Sequence, residues 1–179
     1  LIAQGKKAGG ELEMRKGDGS LFWCRLEGKA LDASKPHDGS IWIWEDITER
    51  KQAEAEFKKL AAIVMHSGEL VNLATLDGTM VFLNEAGAKI LGIDPQDVLK
   101  TNIMQVIPEH LTEKVNRELL AKIREGGQWE GDLQYRNLKT GTLTDVYAQT
   151  FTIADPKTGA PLYLANLSTD ITERKRVET

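Results

Sequence analysis

The residues best equipped for chemistry are few and dispersed. The chain has one cysteine, Cys24, and three histidines, His37, His66 and His110, among 179 residues. Cys24 alternates with Phe22 and Leu26 in a strand-like run, which makes it a small core residue rather than a reactive thiolate. His66-Ser67-Gly68-Glu69-Leu70 suggests a phospho-accepting histidine beside an acid. Gly68 breaks a helix immediately after it, however, and phosphoryl acceptors of that kind lie inside a long helix. The segment therefore reads as a helix-to-strand junction. His37 lies in a loop and needs no chemical role. No G-x-S-x-G elbow, glycine-rich phosphate loop or metal-ligand cluster occurs, and the scattered Asp and Glu form no paired-carboxylate site. These residues point away from catalysis and from a metal site.

Recognition chemistry is better represented. Strand alternation over residues 143–153 places Val146, Ala148, Thr150 and Thr152 on one face. All four are small or medium, so they leave room beneath a helical layer. If Asn166 and Ser168 of the last strand share that face, they set polar groups in an otherwise apolar pocket, as ligand sites do. The competing expectation is a core filled by Met80, Met104 and Leu119, with Asn166 satisfied by backbone or water.

The elements that would position these groups come in two copies. Asp46-Ile47-Thr48-Glu49-Arg50-Lys51 returns as Asp170-Ile171-Thr172-Glu173-Arg174-Lys175, 124 residues later, and a repeat of that length is a repeated domain. Each copy follows a β-rich run and predicts a helix start, with Asp46 or Asp170 as cap and Glu49 or Glu173 completing a capping box. Between the copies, residues 47–66 contain no Gly and no Pro. Ala53, Phe57, Leu60, Ala61 and Val64 share one face there. The narrow heptad seam suits a partner helix, although a helix folded onto its own domain is the competing expectation.

Before the first junction, residues 1–8 read as the tail of a helix ended near Gly9-Gly10. Strands follow at 11–16, 20–31 and 40–45. The last of these is apolar on both faces through Ile41, Trp42, Ile43 and Trp44, which requires cover on both sides. After the junction come strands 69–76 and 79–83 about Asp77-Gly78, then a short helix capped by Asn84 and stopped by Gly92. Short helical pieces at 95–99 and 102–106 lead to a longer helix over 108–125. Strands 128–136, 143–153 and 162–169 close the order: two strands, a helical crossover, then three strands.

Net charge is −4, hydrophobic content is 41% and charged content is 28%, ordinary values for a globular chain able to bury a core. No basic run is interleaved with aromatics, so nucleic-acid binding is not expected. A single cysteine fits a reducing compartment, and no apolar run is long enough to span a bilayer. A cytoplasmic segment without direct membrane contact is the expectation, excised from a larger protein that itself could be membrane-anchored.

In combination, Asp77-Gly78 followed by Asn84, Gly92, Trp129-x-Gly131, Thr140-Gly141 and the twice-occurring Asp-Ile-Thr-Glu-Arg-Lys resemble the PAS family of sensory domains of bacterial-type signalling proteins. The resemblance implies an α+β fold: a five-stranded antiparallel sheet with helices on one face enclosing a pocket, and a signalling helix leaving the last strand. It divides the chain into the C-terminal half of one domain (1–46), a linker or signalling helix (47–66), a complete domain (67–170) and the start of an output helix (171–179). The flavin-binding branch carries Asn-Cys-Arg-Phe-Leu-Gln, where this chain reads Asn102-Ile103-Met104-Gln105-Val106-Ile107. Only Asn102 is kept, and Ser168 stands where that branch has glutamine, so flavin is unsupported. Haem-binding relatives ligate from inside the long helix, where this chain offers Val115 rather than His110, so haem is disfavoured and no cofactor is identified. The resemblance implies a candidate pocket lined by Asn102, Val146, Ala148, Thr150, Asn166 and Ser168. Asp46, Thr48, Arg50, Asp170, Thr172 and Arg174 are the expected coupling joints. The output would be a histidine kinase or diguanylate cyclase beyond Thr179. A homodimer through linker helices and outer sheet face, including Tyr147, Phe151, Ile153 and Trp23, is the expected partner state. A small-molecule ligand or a ligand-free dimerisation scaffold are the two functional expectations.

Overall fold

Alternation in residues 20–31 becomes burial of one face of a strand. A computed structural model describes residues 8–35 and 37–177 and divides the chain into two units, Leu1–Ala61 and Ala62–Thr179. In the first, β1 (Ala8–Arg15), β2 (Leu21–Ala30) and β3 (Ser40–Asp46) form an antiparallel sheet in the order β1-β2-β3. Cys24, Gly28 and Ala30 of β2 are buried on one face. A Cβ on Gly28 would stand 2.6 Å from the Trp42 ring, so only glycine lets the indole lie directly on the neighbouring strand.

One expectation changes here. Ala8, Gly9 and Gly10 are strand, paired with Gly28, Glu27 and Leu26. The long β2 offers a complete ladder, and pairing to it overrides the helix-stop signal of a glycine pair. The remainder of the expected helix tail, residues 1–7, lies outside the described residues. In β3, Ile41, Trp42, Ile43 and Trp44 are each 45% exposed or more, so the described residues do not supply the cover that the strand's composition requires.

Helix α1 (Thr48–Met65) has no buried residue. Phe57 and Leu60 of its seam are 72% and 61% exposed. The seam is therefore not folded onto the described residues.

The second unit has the α+β architecture that the resemblance implies. β4 (Leu70–Thr75), β5 (Met80–Leu83), β6 (Trp129–Arg136), β7 (Leu143–Ala154) and β8 (Pro161–Asp170) form an antiparallel sheet ordered β5-β4-β8-β7-β6. The β4–β5 hairpin turns at Gly78, whose φ of 90° a side chain would resist. Asn84 caps α2 (Glu85–Leu91) by accepting the Gly87 N–H. Leu70, Met80, Leu91 and Val146 are at most 1% exposed. Burying each contributes roughly 1.5–3 kcal/mol.

The helix expected over 108–125 is not uniform. A 3-10 turn (Glu109–Leu111) leads into α3 (Thr112–Lys114), a π-helical segment (Val115–Leu120) and α4 (Ala121–Arg124). The wider π turn brings Val115, Leu119 and Leu120 together on the wall of one interior cavity, and that tertiary preference outweighs local α propensity.

Candidate functional site

The interior cavity of the second unit lies between the sheet and its helical layer. Asn72, Tyr135, Thr150 and Asn166 line it from β4, β6, β7 and β8, joined by Met80 from β5 and by Met104 and Leu119 from the helical layer. Its free volume is about 50 Å³. That accommodates water-sized occupants and falls well below the roughly 300 Å³ at which ligand pockets begin.

The sheet wall is a connected polar cluster. The Asn166 Nδ2 group has three acceptors in reach: Asn72 Oδ1 at 3.0 Å, Ser168 Oγ at 3.0 Å and Tyr135 Oη at 3.2 Å. The Thr150 hydroxyl donates to Asn166 Oδ1 at 3.1 Å, and Tyr135 Oη lies 3.0 Å from Ser168 Oγ. Burial raises the Tyr135 pKa, and the bonds to Ser168 and Asn166 oppose that only in part, so the phenol stays neutral. Four strands thus converge on one amide.

Of the expected lining residues, Thr150 and Asn166 face the cavity. Ser168 joins them through the cluster. Val146 and Ala148 are fully buried in the core beside it, both 0% exposed. Asn102 is elsewhere: its side chain accepts the Met104 N–H, its own N–H is held by Gln105 in a capping box, and its amide donates to Asp77 O. It caps the 3-10 turn Ile103–Val106 and fastens the Asp77-Gly78 hairpin, because a polar side chain at that position finds orphan backbone groups nearer than the cavity. Asn72 and Tyr135 were not expected at the site. Tyr135 alternates with Trp129 and Leu133, and Asn72 sits between Leu70 and Ala74, so their inward facing was readable from period two. His110 is exposed and Val115 is 3% exposed in the core. Among the described residues no group of three or more His, Cys, Asp or Glu could hold a metal ion.

The first unit presents different chemistry at equivalent positions. In its register Gly28 faces Trp42, where the second unit has Thr150 facing Asn166, and Trp44 faces Leu26, where it has Ser168 facing Ala148. Among the described residues of the first unit that face carries no such polar cluster.

Both helix junctions share one geometry. Asp46 Oδ1 accepts the Thr48 N–H at 3.0 Å, Thr48 Oγ1 accepts the Trp23 N–H at 3.0 Å, and the Ile47 N–H donates to Trp23 O at 2.9 Å. At the second junction the corresponding bonds are Thr172 N–H to Asp170 at 2.8 Å, Asp145 N–H to Thr172 Oγ1 at 3.2 Å, and Ile171 N–H to Asp145 O at 2.9 Å. The aspartates therefore bond Thr48 and Thr172 rather than the backbone of Glu49 and Glu173, since the threonine hydroxyl is tied to the preceding strand and brings its own N–H into range. Ile47 and Ile171 are 3% and 6% exposed and anchor each helix start.

Lysines complete the junctions. Lys51 pairs with Glu11 at 2.6 Å, and Lys175 with Asp132 at 2.9 Å and Asp145 at 3.4 Å. Glu11 and Asp132 sit at equivalent edge-strand positions, opposite Arg25 and Tyr147. Arg50 also reaches Glu11, at 2.5 Å, and Lys51 and Arg50 together hold the Glu11 pKa down at about 2. Arg174 is exposed on α5 (Thr172–Val177).

Comparison with known proteins follows the same division. The PAS domain family profile matches residues 1–49 and 69–173. A 41-residue stretch is 49% identical to the sensor protein TdiS of Thauera aromatica, a match spanning 23% of this chain and 8% of that protein. Among solved structures, the PAS domain of a Colwellia psychrerythraea protein superposes with a TM-score of 0.61 at 16% identity, covering 66% of this chain and 99% of the other. The PAS domain of an HTR-like protein from Haloarcula marismortui gives 0.57 at 18% identity, covering 69% and 98%. A domain of a sensory box sensor histidine kinase/response regulator from Geobacter sulfurreducens gives 0.53 at 14%, covering 66% and 96%. At these identities the structural likeness shows the fold.

Proposed function

The chain belongs to the PAS domain family, and from that premise we propose that it is a sensory and relay module of a cytoplasmic multidomain signalling protein of histidine kinase or diguanylate cyclase type. In this reading residues 1–46 are the C-terminal half of one domain, 47–66 a signalling helix, 67–170 the sensing domain and 171–179 the start of the output helix. The observation that carries it is an alignment on one strand. Asn166, Ser168 and Asp170 follow one another at alternate positions of β8, running from the polar cluster to the cap of α5.

A ligand that competes for the Asn166 amide must break bonds to Asn72, Ser168 or Tyr135. It favours whichever arrangement of β8 it binds better, and its influence on the helix cannot exceed that difference in affinity. The test is Asp170→Ala in the full-length parent protein. Loss of signalling with about 1 kcal/mol of lost cap stability supports the relay. Intact signalling at the same stability loss contradicts it.

A second reading, a ligand-free dimerisation scaffold, is favoured by the small cavity and by the exposed seam of α1. An isolated helix of this length is marginal in water, so paired α1 helices from two chains would stabilise each other. A monomer at micromolar concentration in sedimentation equilibrium contradicts that reading. A small molecule retained in native mass spectrometry favours the sensor instead.

A further inference from the structure

The spacing of the apolar residues in the long helix is unusual. Val115, Leu119, Leu120 and Ile123 stand at i, i+4, i+5 and i+8. A regular α-helix would turn Leu120 about 140° away from Val115 while leaving Leu119 and Ile123 on Val115's side. The π segment Val115–Leu120 corrects this: Leu120 lines the same cavity as Val115, Leu119, Thr150 and Asn166. Asn116, Arg117 and Glu118, on the outer side of the π segment, are exposed. Leu120 is only partly buried, packed against the core from its edge. π-helical turns are intrinsically unfavourable and concentrate at functional sites. The sequence thus admits an α register with better hydrogen-bond geometry beside the observed π register, which sets Leu120 on the cavity wall.

We propose that Val115–Leu120 is a two-register gate. In the π register Leu120 plugs the cavity, which leaves the free volume of about 50 Å³. In the α register Leu120 swings outward and leaves a leucine-sized space in the cavity that Asn166 and Thr150 also line. The ligand this suits is a compact, largely apolar ring with one hydrogen-bonding edge. The gate deepens the sensor reading and rests on it, because it explains how a filled interior admits a ligand. With the α register as the minor state, populated at about 10%, binding is weakened by that fraction, and a variant held open recovers about tenfold in affinity.

The test uses the purified chain, indole as probe and three variants. Deleting Arg117 resets the apolar residues to i, i+3, i+4 and i+7, a regular α-helical stripe that keeps Leu120 inside. Deleting Lys122, which lies in α4, instead swings Ile123 off the core and serves as the control. Leu120→Ala removes the plug. The gate predicts that deleting Arg117 leaves the melting temperature unchanged or higher while deleting Lys122 lowers it steeply. It also predicts that Leu120→Ala binds indole about tenfold more tightly than the unaltered chain, and that the Arg117 deletion binds none. Equal destabilisation by the two deletions overturns the π register and with it the gate. A stable Arg117 deletion that binds indole as the unaltered chain does overturns the gate and leaves the sensor reading intact. If a stable Leu120→Ala fails to bind indole, both the gate and the proposed cavity chemistry fall.

Discussion

Asn166 carries two amide N–H groups and has three acceptors within 3.2 Å, so its hydrogen bonds are shared rather than assigned. Sharing leaves the cluster responsive, since one further acceptor on a ligand redistributes all of them. Replacing Asn166 with leucine strips partners from Thr150, Asn72 and Ser168 together. Left unsatisfied, such groups cost about 1–3 kcal/mol, which urea denaturation will register as a lower midpoint at unchanged slope. At the first junction, Glu11 has a folded-state pKa of about 2 against an ordinary 4.5. A depressed carboxylate stabilises the fold above its unfolded pKa and loses that contribution as pH falls through the folded value. The Glu11 ion pairs with Lys51 and Arg50 should therefore persist at pH 4 and vanish towards pH 2. Carbon-13 NMR titration of the Glu11 carboxyl checks this, and a midpoint near 4.5 contradicts it.

The elements show which signals in the sequence travel well. Strands β2 and β6 were legible from alternation over eight or more residues, the pattern of a half-buried strand, and β7 and β8 from the turns at Thr140-Gly141 and 155–159 that bound them. Helix α2 was legible from Asn84 and Gly92 at its two ends. Three features were not. β1 begins at Ala8 rather than after the glycine pair, because β2 provides partners that no local pattern announces. The π segment arises from a tertiary demand on Leu120. The tie from Thr48 to Trp23, 25 residues apart, and from Thr172 to Asp145, 27 residues apart, is set by strand pairing. The six junction residues were identifiable from the repeat, but the repeat could not say that threonine binds the preceding strand or that a lysine pairs with the edge-strand acid at both junctions. Thr172→Val keeps the shape and removes the hydroxyl. It should lower amide-exchange protection across α5 about tenfold while leaving α2 unchanged; equal protection in α5 would mean that the hydroxyl does not hold the helix.

Across the whole chain, the two units share a three-stranded meander and a junction yet differ in what the equivalent sheet faces display. The first sets Trp42 against Gly28 and Trp44 against Leu26, whereas the second sets Asn166 against Thr150 and gathers Ser168 and Tyr135 around it. The repeat thus preserves the mechanical part, a strand turning directly into a capped helix, and varies the chemical part. Among the described residues no helix is long and apolar enough to cross a membrane. In the proposed scaffold reading the exposed seam of α1 is where two chains pair: Phe57→Glu puts a charge on it and should shift a dimer to monomer in sedimentation equilibrium, while an unchanged mass distribution would place any dimer contact elsewhere.

In the proposed relay the polar cluster and the start of α5 are coupled along β8. Hydrogen exchange resolved by residue, comparing the unaltered chain with Asn166→Ala, tests this most directly. With the coupling in place, protection falls about tenfold at Ile171–Lys175 while β1–β3 exchange as before. Unchanged protection at those amides, alongside a measurable loss at Asn72, Thr150 and Ser168, would show that the cluster and the helix are independent.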